Sequence, residues 1–528
     1  MPAESGFGRR SKRIITDIAK IMSETQKPKS QKPHHNRAEE VTNTFEWLIT
    51  AFILAFFFRA FVMEAFRIPT GSMADTLMGA HFRLCCPQCG YKYEYGFIPQ
   101  EYRMPLDTVP AGNVAPPRTR CPSCGYYPSS GAAMSVSNGD RVLVLKCLYQ
   151  FFEPKQWDVV VFKNPLEPQI NFIKRLIGRP GETLEIIDGD IYINGKISRK
   201  PPNVQEELWM PIYDNDYQPV RPREGIFNGH AWRMPFNFAN SNWKINQDSP
   251  AKFQLDSPAD QINTMSYDTS IGNDFRTAYA YDNVRDYSRM PYCSDLMVRL
   301  YAASVSLSGT AGRLGVSLSK YQSTYKAWVD LKGEMVIART QENADVILSS
   351  KPITIPAMDK PIELKFANVD HQLIFEFGGE KLTHDLGQGP DDAGNRETNV
   401  QPQVKIFGSG KLTVSHLAIF RDIHYTEVDG PGRGRATERN PLKLEKDEFF
   451  MLGDNSPNSA DSRWWSENGK GNNRVSYRQG IVPREYLVGK AVFVYWPSGF
   501  KPFEKFRFAL VPNIGRMRFI CGGSDKNP

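Results

Sequence analysis

Between Trp47 and Met63 the chain reads WLITAFILAFFFRAFVM, with Arg59 as its only charge. A helix that is apolar all round must be buried, either in a protein core or in lipid. At about 1.5 Å of rise per residue this run reaches the short end of the spanning range, and Phe45, Ala65 and Phe66 extend it. Arg59 stands near one end, where its stem can carry the guanidinium to the headgroups. A cleaved leader fits less well, because the run is too long, starts too late and is followed by no small-x-small site. A single transmembrane helix is therefore expected at 44–66. Leu487–Trp496 (LVGKAVFVYW) is too short for a second span and reads as a strand.

The flanks orient this helix. Nine Lys/Arg precede residue 41, whereas only Arg67 and Arg83 lie between Glu64 and Leu84. The positive-inside rule puts the N-terminus in the cytoplasm and everything after the span outside. With 528 residues the chain exceeds a single ordinary core. A net charge of +7, with no long basic stripe interleaved with aromatics, does not argue for nucleic acid, and none is expected as a partner.

Texture divides the remainder. Residues 1–43 form a basic tail without apolar periodicity. Residues 67–80 are turn-rich (RIPTGSMADTL), and 81–135 carry a cysteine-bearing insert. Residues 136–196 alternate as strands (DRVLVLK, WDVVVFKNP, NFIKRLIGRPGETLEII) and suggest a β-barrel or sandwich core. From 197 to 440 many short alternating runs, such as LMVRLYAASVSL and LIFEFGG, predict an inserted β-sandwich. The core resumes over 441–500, and 501–528 are an unassigned tail. The fold class expected is thus mainly β with one N-terminal transmembrane helix.

Two residue types suggest chemistry. Ser72 lies in P-T-G-S-M, within about 30 Å of extended chain from the end of the span. No G-x-S-x-G elbow surrounds it, which excludes an α/β-hydrolase. Histidines fall in the tail or the inserts rather than in the strand-rich blocks. Lys174, in the apolar run N-F-I-K-R-L-I-G, is the better base: burial lowers a lysine pKa, and a neutral amine can take a serine proton. Each residue alone also reads as ordinary, a turn serine and a solvated strand lysine.

R-I-P-T-G-S-M, D-R-V-L-V-L-K, D-V-V-V-F-K-N-P with I-K-R-L-I-G-R-P-G-E, and G-D-N-S-x-x-S-x-D-S-R occur in this order after the span. Together they resemble the motif boxes of the bacterial type I signal peptidases, serine–lysine dyad enzymes that cut signal peptides from exported proteins. The resemblance implies Ser72 as nucleophile and Lys174 as general base. It implies Ser459 as the hydroxyl orienting the lysine amine, and Thr70 as an oxyanion donor beside the Ser72 N–H. Asp461, Arg463 and Arg175 would support the site by ion pairing, and Gly453 and Asp454 would form the turn that brings the last motif to the dyad. Asp75 departs from the proline usual in the family, and Thr70 replaces a serine. Small-x-small cleavage sites call for shallow apolar pockets, with Ile68, Pro69, Met73, Val142 and Leu143 as candidate linings. The resemblance also implies a single-pass protein of the bacterial inner membrane, with signal peptides and the bilayer as partners and no cofactor for catalysis.

Cys86-Pro-Gln-Cys89-Gly-Tyr is echoed by Cys121-Pro-Ser-Cys124-Gly-Tyr. Two such knuckles are a zinc-ribbon signature, and four thiolates make a closed structural site. The spacing between the pairs is long for a ribbon, and an oxidising exterior leaves two disulfides open as the alternative. Cys85 is surplus. The 296–421 stretch has the texture of laminin-G or concanavalin-like sandwiches, which opens a glycan or protein ligand beside a purely steric role. Two other functions are compatible with parts of the chain. One is a catalytically silent, membrane-anchored binding protein whose insert is the working part. The other is a self-cleaving repressor with the same dyad, which the span and the lack of an N-terminal helix-turn-helix oppose.

Overall fold

The computed structural model describes residues 37–523 apart from 106–107, 129–130, 247–248, 283–286, 305–311, 343, 395, 397–399, 427–433, 472–475, 500–510 and 512. The basic tail expected at 1–43 lies outside the described residues up to position 36, as does most of the tail expected at 501–528. The chain divides into two compact units, residues 1–60 and 61–528.

The first unit is a helix, Arg37–Phe57. Val41–Val62 has a mean hydropathy of 1.9 and is long and apolar enough to cross a membrane. Trp47, Phe52 and Phe56 on it are exposed. The expected extension of the span through Ala65 and Phe66 is corrected. A π-helical turn occupies Phe58–Val62, and Met63–Arg67 is already a strand, paired residue for residue with Arg141–Leu145. Glu64 lies opposite Val144 and pairs with Lys146 at 3.1 Å at the end of the face on which Val142 and Val144 enter the core.

The second unit is mainly β. Its first sheet runs Met63–Arg67, Arg141–Leu145, Leu487–Trp496, Val159–Lys163, Asn171–Gly178, Glu448–Leu452 and Val482–Pro483, with Arg518–Phe519 added beside Leu487–Trp496. Every pairing in it is antiparallel. Its strands come from both ends of the sequence, so positions about 300 apart become neighbours. A smaller sheet joins Thr183–Ile187, Asp190–Ile193, Lys196–Ile197 and Leu442–Lys443.

Between Ile197 and Leu442 the chain forms two further antiparallel sheets of eight and seven strands. They share one core, with Val298, Phe366, Phe375 and Ile419 from one sheet against Val316, Tyr325, Ile337 and Ile406 from the other. Each strand alternates, and its inward residues meet those of the facing sheet. These sheets join the rest of the unit through buried ion pairs. Lys200 reaches Asp370 at 2.5 Å and Asp422 at 2.8 Å, while Lys320 is bonded to Asp295 and lies 3.7 Å from Asp190.

A hairpin of His81–Cys85 and Lys92–Gly96 carries the first cysteine knuckle. In both knuckles a glycine closes the turn: Gly90 N–H donates to Cys86 O at 2.9 Å and Gly125 N–H to Cys121 O at 3.0 Å. Both glycines have φ of 74°, a conformation that a side chain disfavours.

Candidate active site

Asn171–Gly178 sits inside the first sheet, with Lys174 opposite Val160 and Arg175 opposite Val159. Successive side chains face opposite ways, so Lys174 and Arg175 serve different neighbours. Lys174 is buried, and its Nζ lies 2.5 Å from Ser72 Oγ. Burial is the main cause of a Lys174 pKa lowered to about 8; Asp461 and Asp454 push it up and Arg463 pushes it down.

Ser72 lies on a tightly knit turn. Ala74 N–H donates to Gly71 O at 2.9 Å, Leu77 N–H to Met73 O at 2.7 Å, and Ile68 N–H to Asp140 O at 2.8 Å. Asn455 approaches from the last motif, its backbone N–H donating to Ser72 O and its side-chain amide to Gly71 O, both at 3.1 Å.

Two fully buried guanidinium–carboxylate pairs lie behind this turn. Arg175 clasps Asp454 through Nε at 2.8 Å and Nη2 at 2.7 Å, and Thr76 Oγ1 bonds the same carboxylate. Arg463 clasps Asp461 through Nε at 2.9 Å and Nη2 at 2.8 Å, and Asp461 also accepts the Gly453 N–H at 3.0 Å. Each pair is bidentate, which fixes orientation as well as charge. Together they hold the 453–463 turn against the nucleophile turn. A methyl group at Gly453 would overlap both Ser459 Oγ and Ser72 O, so only glycine permits this approach.

A family model for the signal peptidases, peptidase S26, matches residues 118–242 and 421–496. The two segments contain Lys174, Arg175 and the whole 453–463 turn, and Ser72 lies before the first of them. These two segments are thus similar to the signal peptidases of the S26 family. A signal peptidase I of Rickettsia canadensis is 29% identical over 157 residues, covering 29% of this chain and 44% of the relative. One from Rickettsia felis is 29% identical over 189 residues, 35% and 54%. One from Leptolyngbya laminosa is 36% identical over 135 residues, 22% and 63%. The chain thus spans about half the length of the curated relatives it matches. Among solved structures, a carbohydrate-binding module from Bacillus subtilis is 12% identical over 36% of this chain and 94% of its own, with a TM-score of 0.21. That score carries no argument.

Around this site several expectations meet the coordinates differently. Ser459 is buried beside Gly453, but its hydroxyl has no hydrogen-bond partner among the described residues, so the expected bond to Lys174 is not formed. Thr70 is exposed two residues before Ser72. Ile68, Met73 and Val142 are buried together with Leu77, Val144 and Val161. Pro69 is exposed. Val142 and Leu143 cannot line one pocket, because neighbours on the strand Arg141–Leu145 face opposite sides. Asn455 and Thr76 were missed. Both are polar residues inside quoted motifs, and Asn455 belongs to the G-D-N run whose first two members were assigned.

The four knuckle cysteines converge away from this chemistry. Their sulfurs all lie within 4.8 Å of one another, with Cys86–Cys124 and Cys89–Cys121 both at 3.7 Å. None is in a disulfide. Zinc–thiolate bonds of about 2.3 Å in a tetrahedron put sulfurs about 3.8 Å apart, whereas a disulfide needs about 2 Å. The donor set therefore fits a closed four-thiolate metal site and not two disulfides.

Proposed function

We propose that this protein is a membrane-anchored serine endopeptidase that removes N-terminal signal peptides from exported proteins, with Ser72 as nucleophile and Lys174 as general base. The single observation that carries this reading is the 2.5 Å approach of a buried amine to a serine hydroxyl, with the amine pKa near 8. The neutral amine accepts the Ser72 proton as Oγ attacks the scissile carbonyl. Fixed N–H and O–H donors lower the barrier to the oxyanion; Thr70 Oγ1 and the Ser72 N–H are assigned this role. The protonated amine then gives its proton to the leaving nitrogen, and water enters by the same route to release the acyl group. Arg175–Asp454 and Arg463–Asp461 position the turn and do not touch substrate. Ser459 packs at Gly453 and completes the lysine's surroundings.

The helix at Val41–Val62 is assigned as the anchor, with the N-terminus cytoplasmic and the sheets outside, in a bacterial inner membrane. The two large sheets are assigned as an inserted β-sandwich domain. Cys86, Cys89, Cys121 and Cys124 would hold a structural zinc ion, which ties the two knuckles together and supplies no catalytic group. A catalytically silent binding protein has no need for two buried ion pairs shaping a serine–lysine contact, which favours the enzymatic reading.

Cleavage of a preprotein by the detergent-solubilised full chain tests this directly. Ser72→Ala and Lys174→Ala should each reduce cleavage to background; cleavage by both at the wild-type rate would remove the dyad.

A further inference from the structure

The segment Phe275–Asp282, FRTAYAYD, lies outside both segments matched by the peptidase family. It nevertheless reaches the nucleophile turn. Tyr281 is buried and packs its ring on Ala74 and Met78. Its hydroxyl donates to Ala80 O at 3.2 Å, and its carbonyl accepts the Gly96 N–H at 2.8 Å. The ring covers Gly71, the residue before Ser72, so closely that a methyl group there would overlap it. Two residues earlier, the Tyr279 hydroxyl donates to Asp454 O at 2.9 Å, on the turn that carries Arg175's partner. Arg421 lies 5.0 Å over the Tyr279 ring and donates to Ala278 O at 2.7 Å, fixing the segment in place.

The contacts form a closed set. Gly71 is held from one side by the Tyr281 ring and from the other by the Asn455 amide on its carbonyl. Asn455 also holds Ser72 O, and it follows Asp454, whose carbonyl accepts Tyr279. The two tyrosines therefore bridge the nucleophile turn and the last motif from a single short segment. Neither touches the dyad itself.

We propose that Tyr281, with Tyr279 beside it, is a positioning residue for Ser72: its ring sets the height of the Gly71–Ser72 turn relative to Lys174. This inference rests on the serine–lysine reading above. It makes residues of the long segment between the two family-matched stretches a working part of the site. A misplacement of about 1 Å at a reacting atom can cost roughly a hundredfold in rate. An effect of this kind falls on kcat and not on KM.

The test uses the detergent-solubilised full chain and a preprotein substrate. Tyr281→Ala should lower kcat about tenfold to a hundredfold with KM within about twofold. Tyr281→Phe keeps the ring and should restore most of kcat. Gly71→Ala alone should be severely impaired, and Tyr281→Ala in that background should raise kcat again by making room for the methyl group. The control is Val316→Ala, a cavity deep between the two large sheets. If Tyr281→Ala lowers kcat no more than Val316→Ala does, or if the double variant is no better than Gly71→Ala, the positioning role is overturned. Ser72→Ala is run alongside. If it is fully active, the dyad reading itself fails and the positioning role with it; if it is inactive while Tyr281→Ala matches wild type, only the positioning role fails.

Discussion

Among the described residues three lysines are buried, and they are buried to opposite effect. Lys174 faces a serine hydroxyl, and its pKa falls to about 8. Lys200 and Lys320 join the large sheets to the rest of the unit, and theirs rise well above the usual value. Loss of hydration pushes all three down. At Lys200, Asp370, Asp422 and Asp190 outweigh it; at Lys320, Asp295 and Asp190 do so with help from Tyr321. Two carboxylates also stand near Lys174, but Asp454 is clasped by Arg175 and Asp461 by Arg463. Burial alone thus does not lower the pKa of a lysine. What matters is that the neighbouring carboxylates are already committed to guanidiniums.

The largest expected effect tests whether the neutral amine is what distinguishes Lys174. Lys174→Arg keeps a cation that never deprotonates. Steady-state cleavage should fall by about a thousandfold or more at every pH between 6 and 10. Partial recovery toward high pH would mean that another base serves Ser72. The mirror experiment is Lys320→Met, which strands Asp295 and Asp190. Breaking a buried pair this way costs about 3–5 kcal/mol, read as a fall in the thermal unfolding midpoint, while the pH dependence of residual cleavage should not move.

A smaller effect is read from the pH profile of the wild type. Lys174 must be neutral to act, so kcat/KM should rise about tenfold per pH unit below its pKa and level off above about 8. The same alkaline shift leaves Lys200 and Lys320 charged. Their raised folded-state pKa values give stability that is fully present below the unfolded lysine pKa, so the profile up to about pH 9 reports the dyad and not unfolding. A limb near 10 would show that Lys174 is not shielded from Asp454 and Asp461. The smallest effect concerns Ser459. Its hydroxyl has no partner among the described residues, and Ser459→Ala should change kcat by no more than about threefold, since removing an unpaired hydroxyl is nearly neutral. A loss above a hundredfold would mean that it bonds Lys174 in the working enzyme.

Sequence reading carried the approach of Ser72 to Lys174 only through the order of four motifs, since each residue alone looks ordinary. Nothing local separates Lys174 from Lys320, because the difference lies in partners 25 to 287 positions away. Strand alternation was legible in runs such as NFIKRLIG and LIFEFGG, while their pairing order was not, because cross-strand partners are long-range. The cysteine knuckles were readable in kind, since glycine after each C-x-x-C closes a turn of positive φ; the choice between metal and disulfides needed the 3.7 Å spacing. Tyr279 and Tyr281 stayed hidden because an inserted segment reads as remote from the chemistry. Val142 and Leu143 were joined by adjacency, where the two-residue period of a strand separates them.

The turn at 453–463 is made after the whole of the intervening insert, some 380 positions beyond the serine it steadies. A ribosome-borne chain therefore carries Ser72 for most of its synthesis without the clasps that shape its surroundings. Contacts at such sequence separation form late, once the ends of a long loop can meet. On the reading proposed above, cutting power would be acquired only once the 453–463 turn has been made and folded back.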